Sequence, residues 1–367
     1  MKYVFIYAYD RINLGDDLFI RILVNRYQNV QFFIWTGKEN RQTFGELKNL
    51  RIIDKNSAII SAAEKCRASF PPRIKEHYEK KCDAVVYIGG SIFIEYDPGW
   101  QNMLNWWNYE AKKSKLYILG ANFGPYSKEE YREGMNEAFL NMQDVCFRDA
   151  YSKKLFLGNT VVRWAPDIIF NYQIKNVTVK KKQLFISVIN CAEKGEGKEK
   201  LRNYGKNYLS GISNLIKAYT ARKWRIVLAS FCRSEGDEDA VNIILDMLPE
   251  DVAGQCETIF YNGLNTNEVI KLLAESEYVI ASRFHAVVLA IAAERPVYPV
   301  VYSDKTIHML EDIGFSGGWL DIRTNPEYSY EHSTENLTEN LKLNIEELSR
   351  HSEEHFIKLD QVLKKEN

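Results

Sequence analysis

Short apolar runs separated by amphipathic stretches recur along the whole chain. The first, Tyr3–Tyr9, is strand-length and is cut off by Asp10 and Arg11. Asp16 and Asp17 then open a helical pattern over Leu18–Tyr27, where acids in a first turn complement the helix dipole. Further strand-length runs are Val30–Trp35, Arg51–Asp54, Cys82–Ile88, Lys115–Leu119 and Val145–Phe147, with an amphipathic helix over Lys128–Met142. The polar stretch Asn171–Lys182 reads as a linker, its lysines as solvation. The alternation then restarts with strand Leu184–Ile189, a polar loop over Asn190–Gly205 and helix Tyr208–Arg222. Strand Trp224–Ala229, helix Glu238–Met247, strand Glu257–Tyr261 and helix Asn267–Ala274 follow. Strands alternating with helices predict parallel sheets covered on both faces. The expected fold is α/β, with two doubly wound, Rossmann-like domains over residues 1–175 and 176–330. In the tail, 331–367, Leu341, Ile345, Leu348, Phe356, Leu359 and Leu363 recur at three- and four-residue steps, predicting one long C-terminal helix.

The stretch Glu277–Lys305 concentrates the candidate chemistry. Tyr278–Ala281 reads as a buried strand, Ser282 as an N-cap, and Phe284–Ala293 as a buried helix stopped before Pro296. Val297–Tyr302 reads as the next strand. Ligands of such sheets bind outside the carboxyl ends of the strands. Ser282, Arg283 and His285 follow one such end, and Ser303, Asp304 and Lys305 the next. A helix start attracts anions, an arginine fork suits phosphate or carboxylate, and lysine adds a point charge. A histidine packed behind a capping serine is the plainer reading. The convergence of Arg, His and Lys on one crevice favours an anion site instead.

Composition narrows the class. The 367 residues are 46% hydrophobic and 26% charged, with a net charge of −1, which describes an ordinary globular chain without the basic footprint of a nucleic-acid binder. Cys66, Cys82, Cys146, Cys191, Cys232 and Cys256 form no CxxC pair, so reduced thiols and no zinc site are expected. Tyr3–Tyr9 is no signal peptide, and no apolar run approaches the ~20 residues of a membrane span. A cytoplasmic protein is expected.

The first half adds polar turns at predicted strand ends. Gly89-Gly90-Ser91 follows Cys82–Ile88 with neither the G-x-G-x-x-G nor the Walker spacing. Trp100, beside Asp97-Pro98-Gly99, is the candidate sugar-stacking ring of an aromatic cluster that otherwise fills core. Ser282-Arg283-Phe284-His285-Ala286 resembles the C-terminal signature of the polysaccharide pyruvyl transferases. Asn13-Leu-Gly-Asp-Asp17 resembles that family's Asn-x-Gly-Asp-Glu, with Asp17 where Glu is frequent and without the glycine that often precedes the Asn. Gly89-Gly90-Ser91, Arg148-Asp149-Ala150-Tyr151-Ser152 and Pro166-Asp167 are similar to further family motifs.

The resemblance implies a GT-B-like fold, its two domains facing a cleft and its C-terminal helix crossing back onto the first. It implies transfer of a pyruvyl group from phosphoenolpyruvate to a sugar of a cell-surface polysaccharide, or of its lipid-linked precursor, as a ketal. His285 and Arg283 would be catalytic, with Ser282, Arg283, His285, Ser303 and Lys305 holding the donor. Asn13, Asp16, Asp17, Gly89, Gly90, Ser91, Trp100 and Asp167 would hold the acceptor. No cofactor, metal or nucleic-acid partner is implied. Peripheral membrane contact would follow from a lipid-linked acceptor. Two alternatives stay open: a GT-B glycosyltransferase using a nucleotide-sugar, and an inactive glycan-binding homologue. The acceptor sugar and the oligomeric state are not encoded in any visible motif.

Overall fold

The computed structural model describes residues 1–58, 74–175, 177–192, 201–324 and 343–364. Seven strands form the first sheet: β1 (Lys2–Tyr7), β2 (Val30–Thr36), β3 (Leu50–Asp54), β4 (Ala84–Ile88), β5 (Leu116–Ala121), β6 (Asp144–Phe147) and β7 (Val162–Trp164). Their order is β3-β2-β1-β4-β5-β6-β7, with every pairing parallel. Six more form the second: β8 (Lys180–Ser187), β9 (Arg225–Ser230), β10 (Cys256–Phe260), β11 (Ser276–Ala281), β12 (Val297–Val301) and β13 (Leu320–Asp321). Their order is β10-β9-β8-β11-β12-β13, again parallel throughout. Each sheet reverses its winding once, between β1 and β4 and between β8 and β11. Such switch points leave a crevice at the carboxyl ends of the strands.

The burial explains the pattern. All six residues of β5 and all five of β12 are buried, as strands covered by helices on both faces must be. The first core packs Phe93, Phe123, Phe139, Phe147 and Phe156 together, several of them edge to face. The second gathers Leu184, Ile186, Ile226, Leu228, Ile280 and Val300. Helix Phe284–Ala292 is apolar on nearly every face because seven of its nine residues are buried.

The chain divides into two compact units. One comprises Met1–Asp10, Asp16–Ile168 and Arg350–Asn367; the other comprises Arg11–Gly15 and Ile169–Ser349. Three local features depart from the sequence reading. Strands β7 and β13, of three and two residues, are too short to carry a period. Lys180–Lys182 are not linker: they begin β8 and are exposed because they project past its buried part. The tail periodicity is realised as helix Ile345–Ser352, a 3-10 turn Glu353–Phe356 and helix Ile357–Leu363, rather than one rod. Leu341, Cys66 and residues 193–200 lie outside the described residues. The other five cysteines are free thiols. Among the described residues no helix is long and apolar enough to cross a membrane.

Candidate active site

In the second unit, β11 ends at Ala281 beside β8, at the switch point. Ser187, the last residue of β8, fixes the turn that follows. The Ser282 N–H donates to the Ser187 carbonyl at 3.1 Å and reaches its Oγ at 3.2 Å; the Arg283 N–H donates to that Oγ at 3.3 Å. Ser282 does not cap the helix. Its Oγ lies 2.9 Å from the Tyr208 hydroxyl, which itself accepts from the Ile189 N–H at 3.2 Å. The N-cap position is Arg283, and no side chain caps it.

Arg283 is buried, and its fork is engaged by carboxylates. Nε donates to Asp237 Oδ2 at 2.7 Å, Nη2 to Asp237 Oδ1, and Nη1 to Glu235. Burial works against the charged guanidinium, but the adjacent Asp237 outweighs it and raises the pKa. Asp237 Oδ2 also accepts from the N–H groups of Phe231 and Cys232, at 3.1 and 3.0 Å. Arg283 therefore ties the loop after β9 to the turn after β11. The sequence reading, an open anion fork, did not foresee this role. A buried guanidinium needs paired charge, and Asp237 reads in the sequence only as one of three acids in a first helical turn.

His285 is half-buried. Its ring lies against Gly15: a Cβ built there would stand 1.6 Å from the imidazole Nδ1. Asn13 shapes this backing by accepting the Gly15 N–H on Oδ1 at 3.1 Å. The backbone of this turn joins the loop after β9, with Leu14 N–H donating to the Phe231 carbonyl at 3.1 Å and Asn13 bridging Cys232. Asn13, an expected acceptor contact, thus has its side-chain oxygen bonded within this turn. The need for Gly15 is steric and invisible in the sequence, because His285 lies 270 positions away.

The neighbouring strand end brings Ser303 and Lys305. Ser303 occupies the N-cap position of helix Asp304–Asp312, yet its side chain makes no cap bond. Its Oγ is buried and has no hydrogen-bond partner among the described residues. Lys305 Nζ lies 5.8 Å from the centre of the Tyr302 ring.

In the first unit, the switch point between β1 and β4 gathers another group. Asp16 is half-buried, and a Cβ on Gly89 would stand 3.9 Å from its Oδ1. Gly90 lies under the Arg148 guanidinium, where a Cβ would meet Nη2 at 2.7 Å. Asn122 donates its N–H to the Gly90 carbonyl at 2.9 Å, and its Oδ1 accepts from Arg148 Nη2 at 2.7 Å and Ser91 Oγ at 3.3 Å. Arg148 Nη1 reaches Asp167 Oδ2 at 3.2 Å.

Asp17 and Asp167 are 1% and 0% exposed, so neither offers a carboxylate to a sugar, contrary to expectation. Asp167 is the counter-ion of buried Arg148. Trp100 is half-buried and packs edge-on against Tyr131 at the margin of the core. In Arg148-Asp-x-x-Ser152 the Arg bonds Asp167 and Asn122. Asp149 caps the helix by accepting the Ser152 N–H at 2.6 Å, and Ser152 Oγ accepts the Phe123 N–H at 2.8 Å. The Arg-Asp-x-x-Ser motif was visible, but Arg148 and Asn122 join the site only through long-range contacts.

A family model described as polysaccharide pyruvyl transferase matches residues 13–304. The amylovoran biosynthesis protein AmsJ of Erwinia amylovora is 20% identical over 261 residues, 67% of this chain and 63% of that protein. The chain thus spans less than two thirds of that relative's length. Among solved structures, the fold resembles a UDP-GlcNAc 2-epimerase from Neisseria meningitidis bound to UDP-GlcNAc (TM-score 0.59, 13% identity, all of both chains). It also resembles S. aureus MnaA with UDP (TM-score 0.61, 12% identity, 99% of this chain and 97% of that one). These likenesses establish an α/β, GT-B-like architecture and nothing finer.

Proposed function

The chain belongs to the polysaccharide pyruvyl transferase family, and on that premise we propose that it transfers a pyruvyl group from phosphoenolpyruvate to a polysaccharide or its lipid-linked precursor. The donor's anionic groups are held by the start of helix Asp304–Asp312, with Ser303 Oγ and Lys305, beside His285. Asp16 and Ser91, the half-buried polar groups of the first unit's switch point, meet the acceptor sugar. Arg283 positions the turn that carries His285 instead of contacting the donor with a free fork.

Ketal formation needs a proton on the donor's methylene carbon, attack of one sugar hydroxyl on the adjacent carbon, and attack of a second as inorganic phosphate leaves. Of the two hydroxyl protons lost, one balances the new methyl group and the other leaves with phosphate. His285 serves as the general acid–base that moves them, a role worth about 10²–10⁴ in rate. Phosphoenolpyruvate enters as a substrate, and this chemistry calls for no further cofactor.

The observation that carries the reading is His285 itself: a half-exposed imidazole pinned against Gly15 at a switch point, in a shell whose serine and arginine are already engaged. The test incubates the full chain with phosphoenolpyruvate and pyruvate-free bacterial exopolysaccharides. Phosphate release is followed together with the ketal methyl signal by proton NMR. Glycan-dependent release of both is expected. A thermal shift with UDP and none with phosphoenolpyruvate would instead point to a nucleotide-sugar donor.

A further inference from the structure

The C-terminal segment reaches the first unit's switch-point group through two side chains. Ser352, the last residue of helix Ile345–Ser352, is fully buried and donates from Oγ to the Asp167 carbonyl at 2.7 Å. One turn later His355, also fully buried, places Nε2 at 2.9 Å from the Pro166 carbonyl. A carbonyl only accepts, so Nε2 carries the proton. These bonds hold the Pro166–Asp167 peptides, whose carboxylate meets Arg148, whose other Nη meets Asn122, whose N–H meets Gly90.

We propose that Ser352 and His355 are positioning residues of the acceptor site, setting Asp167, Arg148 and Asn122 so that Gly90–Ser91 present a fixed edge to the sugar. The segment is also held by other bonds. Arg26 and Tyr27 bond Asp360, and Arg163 donates to the His355 carbonyl at 2.9 Å. Ser352 and His355 therefore act on the turn, with the segment as a fixed support. Geometry matters here because a buried, hydrogen-bonded ion pair transmits displacement to the groups it bonds, and catalysis is sensitive to misplacement on the order of 1 Å.

This proposal rests on the pyruvyl transferase reading for its kinetic arm only. Ser352→Ala and His355→Leu are compared with Ser352→Thr and His355→Gln, which keep a donor, at a temperature below every variant's melting point. The first pair should raise the acceptor KM about tenfold, the effect of one lost hydrogen bond. The phosphoenolpyruvate KM should not change, and the second pair should recover most of the loss. Hydrogen exchange, which needs no activity, should quicken about tenfold at the Asn122 amide and around Asp167 in Ser352→Ala. A lower melting point with unchanged acceptor KM and unchanged exchange at Asn122 overturns the proposal. Where the wild type shows no glycan-dependent turnover, the pyruvyl reading fails, and exchange at Asn122 alone decides the positioning role.

Discussion

His285 and Gly15 form a pair in which one residue's lack of a side chain is the other's seat. Gly15→Ala brings a methyl carbon into the imidazole, and the ring must move. Turnover is expected to fall about 10²-fold, the lower range for losing general acid–base catalysis, with the melting point nearly retained. His285→Gln should match it in turnover while keeping phosphoenolpyruvate binding, measured by calorimetry. Near-normal turnover in both variants would reduce His285 to a packing residue. Arg283 behaves differently. Arg283→Ala leaves Asp237 buried and without its principal cation, so a stability loss of about 3–5 kcal/mol is expected in urea unfolding. A variant as stable as wild type, with donor affinity alone reduced, would restore the open-fork role.

Among the elements, the 3-10 turn Glu353–Phe356 carries the clearest pH signature. Burial, aided by the charge of Arg163, pushes the His355 pKa down to about 3. Between that value and the ordinary 6.5, the unfolded chain binds a proton that the folded chain refuses. Stability is therefore complete above pH 6.5 and falls as the pH drops, by up to about 1.4 kcal/mol per unit. From pH 6.5 to 5 the loss should be about 1.6 kcal/mol, read from urea midpoints. His355→Gln removes the ionisable group and should flatten that slope; an unchanged slope would assign the acid sensitivity elsewhere. The hydrogen bonds from Arg26 and Tyr27 to Asp360 hold that carboxylate below its usual range despite partial burial, so the helix that follows stays anchored through the same interval.

For the molecule as a whole, the two sheets offer one switch point each, and each unit carries its own polar group there. Hydrogen exchange of the full chain should separate them. Phosphoenolpyruvate is expected to slow exchange around 282–286 and 303–306 in the second unit, and an accepted glycan around 16–17 and 89–91 in the first. Protection by phosphoenolpyruvate confined to the first unit would exchange the two assignments.

Periodicity was enough for the α/β alternation, because a strand covered on both faces must be apolar at nearly every position, as β5 and β12 are. The turn residues at strand ends were legible as well, since Ser282–His285 and Gly89–Ser91 follow strands directly and Ser303–Lys305 begins one residue past β12. What each residue does there was decided by contacts across the fold. Arg283 meets Asp237 over 46 positions, Asp167 meets Ser352 over 185, and Gly15 meets His285 over 270. Local sequence sets φ, ψ and burial through neighbours a few residues away. The protonated partners, counter-ions and steric seats that fix a side chain's role come from strand order, and a charge or a missing methyl group carries no mark of which distant element it will meet.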